Sequence, residues 1–199
     1  MSSKSRPTRE EVHASIMLKA REIAATDGWA AVTVRKVAER IGYTAPIIYE
    51  HFGSKDEMLN QVLKEGYDIL HDEIKKAVDC CEAKEDRLRA MAMAYWDFAH
   101  ATPELYQLMY GMEGARATSE AARDYAIPMA SLIAEEMIRF NPGHINKTNV
   151  GVVMVEAWSM VHGMIALDIS GYTERYIESA KLPDILVEGL VHILRRQRS

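Results

Sequence analysis

Cysteine is nearly absent: Cys80 and Cys81 are the only two in 199 residues, and they are neighbours. In a chain without a secretion signal such a pair reads as reduced thiols rather than a disulfide framework. An N-terminal leader is not expected, because Met1 to Arg9 is polar and basic with no apolar run after it. Catalytic signatures are missing too. There is no Gly-rich phosphate loop, HExxH, GxSxG or paired Cys/His spacing. Seven histidines (His13, His51, His71, His100, His144, His162, His192) are scattered, and no spacing joins them into a site. The chain is therefore expected to be no enzyme and to carry no metal and no cofactor. The one long apolar stretch, Val150 to Ile169, contains Glu156, His162 and Asp168, which favours a buried helix over a membrane span. No membrane association is expected, and the expected compartment is cytoplasmic. Strand-period alternation and internal repeats are also lacking, which leaves an all-α fold.

Helical punctuation is abundant. Thr8 can cap a helix from Arg9 to about Thr26, with Glu10 and Glu11 in its first turn and Val12, Ile16, Ala20, Ile23 and Ala24 as its apolar stripe. Asp27-Gly28 ends it. Thr33 caps a second helix in which Val34, Val37, Ala38 and Ile41 share a face, and Gly42 stops it. Thr44 is the expected cap of a short third helix that has Pro46 in its first turn. Ile48 and Phe52 face inward there. Ser54-Lys55-Asp56-Glu57 is a capping box that opens a long helix toward Cys80. Helix, turn, short helix is the arrangement that carries a reading helix into the DNA major groove. Residues 1–60 hold nine Lys/Arg and eight Asp/Glu, leaving the remainder at −6 of the total −5. That asymmetry fits a small DNA-reading head on an acidic body.

The string Thr33-Val34-Arg35, Ala38, Ile41-Gly42, Tyr49-Glu50-His51-Phe52, Ser54-Lys55-Asp56-Glu57-Met58-Leu59 resembles the N-terminal signature of the tetracycline-repressor (TetR) family. The resemblance implies a three-helix DNA-binding domain over residues 1–54 and a helical regulatory and dimerisation domain of about six helices over 55–199. It implies DNA contact through Thr44, Ala45, Pro46, Ile47, Tyr49 and His51, flanked by Thr33, Arg35 and Lys55. Thr33, Thr44, Tyr49 and His51 can donate to phosphates. Lys55 acts with its helix N-terminus on one phosphate, and Arg35 suits a guanine edge. Ala45-Pro46-Ile47 departs from the commoner family pattern of a small hydroxyl residue with Lys or Gly. It gives the reading helix an apolar tip suited to thymine methyls. Lys4, Arg6 and Arg9 form a basic tail that reaches for phosphates or is simply solvated.

In the body, helices are expected over Asp86–Ala99, Leu105–Tyr110, Ser119–Phe140 (with Pro128 inside), Asn146–Ser170 and from Pro183 to Arg196. Met, Trp and Tyr cluster there. Met91, Tyr95, Trp96, Tyr106, Met109, Tyr110, Met129, Ile133, Trp158 and His162 are candidate lining for a small apolar or aromatic effector, which the resemblance favours over a plain bundle core. Trp158, His162 and Gly163 resemble the Trp-x3-His-Gly motif of one TetR subclass. The expected partners are double-stranded operator DNA, the effector, and a second copy of the chain. The homodimer seam is expected on the two C-terminal helices, through Ile185, Leu186, Leu190 and Ile193. The function expected is a ligand-responsive repressor. The alternative is a TetR-like DNA binder controlled by a protein partner or by DNA alone, without a small-molecule effector.

Overall fold

The computed structural model describes residues 7–112 and 119–197. Among these residues there are nine α-helices and no strand: α1 (Arg9–Asp27), α2 (Val34–Arg40), α3 (Pro46–Phe52), α4 (Lys55–Asp79), α5 (Lys84–Ala101), α6 (Pro103–Met109), α7 (Ser119–Phe140), α8 (Val150–Ile169) and α9 (Leu182–Arg196). The expected all-α fold is the one observed. Lys4, Arg6 and Gly114 lie outside the described residues.

Local chemistry sets most boundaries. Thr8 and Glu11 form a reciprocal capping box at α1, the Thr8 N–H donating to Glu11 at 2.7 Å and the Glu11 N–H to the Thr8 hydroxyl at 3.2 Å. Thr33 accepts from the Lys36 N–H at 3.2 Å, and Ser54 accepts from the Glu57 N–H at 3.0 Å. Several boundaries differ from expectation: α5 and α6 each begin two residues early, at Lys84 and Pro103, and the starts of α3 and α8 have a clear chemical cause. α3 starts at Pro46 with Ala45, not Thr44, as its cap, so this helix has no side-chain oxygen at its N-terminus. α8 starts at Val150 rather than Asn146 because two asparagine side chains capture the backbone there. Asn149 accepts from the Asn146 N–H at 2.8 Å, Asn146 accepts from the Thr148 N–H at 2.9 Å, and the Asn149 amide donates to the His144 carbonyl at 2.7 Å. Such bonds offer the chain an alternative to the helix.

The chain forms two compact units. The first comprises Met1–Gly66 and Glu104–Tyr125, and the second Tyr67–Pro103 and Ala126–Ser199. In the first, α1, α2, α3, α6 and the start of α4 enclose a core that includes Ile16, Ile23, Ile48, Met58, Leu63 and Tyr106. α6 is fixed in it at both ends. The Trp29 indole N–H donates to the Glu104 carbonyl at 2.8 Å. The Arg21 guanidinium reaches the Glu104 carboxylate at 3.0 Å and Glu65 at 2.8 Å. Further along α6, Met109 comes so close to Gly66 that a Cβ there would lie 3.0 Å from its Sδ.

In the second unit α8 packs on α9, and α5 on both. Gly189 allows the helices to approach, since a Cβ on it would meet the Met160 Sδ at 2.6 Å. α8 is long and apolar enough to cross a membrane by length and composition. Its inner face, Val153, Ala157, Val161 and Ile165, is instead buried within the unit, while Val152 is 74% and Val155 62% exposed. The face of α9 expected at the dimer seam is instead turned into the chain's own unit. Leu186 and Leu190 are buried in their own chain, Leu190 with 2% exposure, and only Ile185 stands out. Gly163 likewise has open space around it within the chain, so it is not there to let one of the chain's own helices approach.

Arg87 on α5 ties this unit together. It pairs with the buried Glu136 of α7 at 2.6 and 2.8 Å and donates to the Val78 and Cys81 carbonyls at 2.7 and 2.9 Å, which closes the C-terminus of α4. Removing one member of a buried pair strands the other's charge. Arg87→Ala is expected to lower stability by about 3–5 kcal/mol, measured by urea unfolding of the full chain.

Candidate nucleic-acid interface

The interface is built on a helix too short to stand alone. α3 has seven residues, and it is held by Ile48 and Phe52, which are buried in the first unit, as are Val37 and Ala38 of α2. The turn between them closes with the Tyr43 N–H on the Ala38 carbonyl at 2.9 Å. Gly42 occupies φ 76°, a conformation that costs any other residue. With these residues inward, the opposite side of the motif is left to solvent. Thr33, Arg35, Thr44, Pro46 and Tyr49 are exposed, and Ala45, Ile47, His51 and Lys55 are half-buried. All nine residues expected at DNA therefore lie on the motif's surface or at its edge.

Their electrostatics differ. Arg35 extends into solvent and donates to Glu39 one turn on, at 2.7 Å; that bond raises its pKa above the ordinary guanidinium value. Lys36 instead ties α2 to the end of α1 through Asp27 at 2.6 Å, and the same bond lowers the Asp27 pKa. Lys55 stands in the first turn of α4, where unpaired backbone N–H groups add positive potential.

His51 is more embedded than the sequence suggests. Its ring lies 5.9 Å from that of His13 and 6.4 Å from Phe52, and His13 stacks on Phe52 at 4.2 Å. His13 is held by Gln61 at 2.8 Å. The His51 Nδ1 is buried without a hydrogen-bond partner. Arg9, expected in a basic tail, belongs to α1 and donates to the Glu50 carbonyl at 3.3 Å, close to the end of α3. Sequence reasoning missed His13 and this role of Arg9, because no spacing rule joins α1 to α3.

The residues expected at an effector divide between the units. Tyr106 and Met109 are buried on α6 in the first unit, with Tyr110 half-buried and its ring 4.8 Å from that of Tyr106. Met91, Tyr95 and Trp96 are buried on α5 of the second unit, and Met129 on α7; Ile133 is half-buried. Trp158 is exposed on α8 and stacks on the half-buried His162 at 5.3 Å. Burial lowers the His162 pKa below 6.5. A groove of about 480 Å³ in the first unit is lined by other residues, among them Arg9, His13, Met17, Leu18 and Arg21. Among the described residues no cluster of His, Cys, Asp and Glu is arranged to hold a metal ion.

A helix-turn-helix with an outward second helix, joined to a helical second unit, defines a class of bacterial transcription regulators. Residues 16–62 match the bacterial regulatory proteins of the tetR family, and residues 88–192 match the tetracyclin repressor-like C-terminal domain. The chain belongs to the TetR family of bacterial regulatory proteins. It is 29% identical over 102 residues to the HTH-type transcriptional activator FasR of Mycolicibacterium smegmatis, covering 51% of this chain and 47% of that one. The chain thus spans about half the length of the curated relatives it first matches. A Rhodococcus sp. RHA1 protein of unknown function shares the fold over the whole of both chains, with a TM-score of 0.79 at 19% identity. Bacillus subtilis FadR, solved in complex with stearoyl-CoA, does so with a TM-score of 0.74 at 14% identity, over 90% of this chain and 97% of that one.

The embedded histidine carries a pH consequence. Burial, then the Arg9 and His13 charges, lower the His51 pKa below its ordinary 6.5, against the pull of Glu50. A depressed folded-state value favours the folded state in its neutral form. The contribution is complete above pH 6.5 and is lost as pH falls through the depressed value. Between about pH 7.5 and about pH 5.5 the wild-type urea midpoint is expected to fall further than that of His51→Gln.

Proposed function

We propose that the chain acts as a homodimeric repressor that sits on a palindromic operator through two heads and leaves it when a small, largely apolar ligand binds the body. The observation that carries the dimer is the outer face of α8. Val152, Val155, Ser159, Gly163 and Ala166 recur at helical spacing along it, and the two valines are among the chain's most exposed large apolar side chains. A monomer gains nothing from a wet apolar stripe on its most apolar helix. A second α8–α9 pair related by a two-fold axis would cover it and form a four-helix bundle, with the open space at Gly163 admitting the partner's backbone. That reading also accounts for the apolarity of α8 without a membrane, in a cytoplasmic protein.

On DNA, the division of labour follows exposure and charge. Thr33, Thr44, Tyr49 and His51 donate to phosphates, Lys55 and its helix end hold another, and Arg35 reaches a base edge. Ala45, Pro46 and Ile47 meet thymine methyls. The functional boundary at residues 54 and 55 separates this head from the regulatory body. Under the same proposal the body belongs to the Trp-x3-His-Gly subclass of the family, a reading that the Trp158, His162 and Gly163 string supports. For the effector, the Met and aromatic residues of α5, α7 and α8 in the second unit supply apolar contact, and FadR with stearoyl-CoA is a precedent within the same fold for an apolar chain as ligand. A ligand that binds better when the heads are wrongly spaced must weaken DNA binding.

Lys55→Ala is expected to weaken binding to all sequences alike and to reduce the log–log salt slope by about one. Arg35→Ala should cost roughly 1–3 kcal/mol at one base pair of each half-site. Fluorescence anisotropy with duplexes over a salt series checks both; wild-type affinity and slope in Lys55→Ala would remove Lys55 from the contact. Sedimentation of Val155→Glu tests the seam, with a folded monomer expected and an unchanged dimer contradicting it. For the effector, thermal shifts should grow with concentration for long-chain and aromatic compounds, and these should release DNA. Stabilisation by small phosphorylated metabolites alone would contradict an apolar ligand.

A further inference from the structure

The connection between α8 and α9, Ser170 to Lys181, carries two single-turn 3-10 helices, Thr173–Arg175 and Ser179–Lys181, and is pinned at its root. Asp168, in the last turn of α8, accepts from the Thr173 hydroxyl at 2.5 Å and the Ser179 hydroxyl at 3.3 Å, so one carboxylate holds the connection near both ends. Its other oxygen lies 2.8 Å from a ring nitrogen of His100 on α5. The second His100 nitrogen is 2.9 Å from the Trp96 carbonyl, and the ring stacks on Trp96 at 4.2 Å. Burial pushes the Asp168 carboxyl up, but the bonds from Thr173, His100 and Ser179 outweigh it and hold its pKa below 3.8. Two backbone bonds tighten the turn, from the Gly171 N–H to the Asp168 carbonyl at 2.8 Å and from the Tyr172 N–H to the Leu167 carbonyl at 2.9 Å.

What this pinned strap displays is out of keeping with a solvent loop. Tyr172 is 69% and Tyr176 82% exposed, and Leu167 at its base is also exposed. A polar clamp that spends a buried carboxylate, an imidazole and two hydroxyls to order a loop makes physical sense when the loop's own side chains are used. Ordered beforehand, two tyrosines lose little entropy when they are covered, and tyrosine is enriched where binding energy concentrates. The stripe on α8 leads directly into the strap: Val152, Val155, Ser159, Gly163, Ala166 and Ser170 follow one another at helical spacing, and Gly171 and Tyr172 come next.

We propose that the strap is a second part of the homodimer interface, in which Tyr172 and Tyr176 bind the second copy of this chain. The proposal rests on the α8–α9 seam described under Proposed function and extends it. Area supports a second copy as the occupant. A standard interface takes roughly 800 Å² from each partner. The seam has few large apolar side chains exposed: Val152, Val155 and Ile185 together with Leu167. The two tyrosines add on the order of 300 Å². His100 and Asp168 are positioning residues here, acting through the strap.

The test is the dimer dissociation constant of the full chain, measured by sedimentation velocity over a dilution series, with Val155→Glu as the seam reference. Tyr172→Ser with Tyr176→Ser is expected to raise the constant about tenfold or more. Because both side chains are exposed, the thermal midpoint measured at a concentration where the variant is dimeric should be unchanged. Asp168→Asn should raise the constant in the same direction and speed hydrogen exchange at residues 170–181, an effect a merely structural role would not carry into dimerisation. If Val155→Glu dissociates the dimer while the tyrosine pair and Asp168→Asn leave it intact, the strap serves another partner and the proposal is overturned. If all three leave the dimer intact, the seam reading fails and the strap proposal falls with it.

Discussion

Ile48 and Phe52 hold in place a helix that has no stability of its own. Seven residues in water do not stay helical, and α3 lacks even a side-chain cap. Its geometry is imposed by two buried side chains, by Gly42 in the turn before it and by the Arg9 bond to the Glu50 carbonyl near its end. Everything that α3 can present outward follows from that anchoring. The residues left on the open side are Thr44, Pro46 and Tyr49, with Ala45, Ile47 and His51 at the margins. A reading head is thus made by sinking two residues of a short helix and leaving the rest wet.

The same economy governs α6. The helix before it, α5, lies in the second unit, yet Glu104 to Met109 of α6 belong to the first through Trp29, Arg21 and the close approach of Met109 to Gly66. Glu104 contributes twice, its carbonyl to the indole and its carboxylate to Arg21, so a buried acid is matched in both charge and hydrogen bonding. In the second unit, Arg87 with Glu136 and His100 with Asp168 do comparable work. Each joins helices distant in sequence through a charged group that would be costly to bury unpaired.

Local signals made much of this legible in the sequence. The Thr8, Thr33 and Ser54 caps, the stops at Gly28 and Gly42, and the limits of α7 could be read because capping chemistry acts within four residues. The start of α8 could not, because the Asn146 and Asn149 side chains bond to nearby backbone, a competition that periodicity does not register. Nor was the α9 face legible. Leu186, Leu190 and Ile185 are all apolar, and only packing against α5 and α8 decides which of them is buried. At the DNA-facing motif the residue types were legible and their setting was not: His51 is a good donor by type, but its environment comes from His13 and Arg9 on α1. The Asp168 clamp was invisible for the same reason, since its members come from α5, α8 and the strap.

The central claim is that two heads, held by a two-fold body, read a two-fold site. Selection of bound duplexes from a random-sequence pool by the full-length chain, followed by sequencing, tests it most directly. The account predicts an inverted repeat whose half-sites lie about one helical turn apart, or a multiple of it, because each recognition helix enters a major groove on the same face of the duplex. A single, unrepeated site, or no enrichment of any sequence, would contradict it.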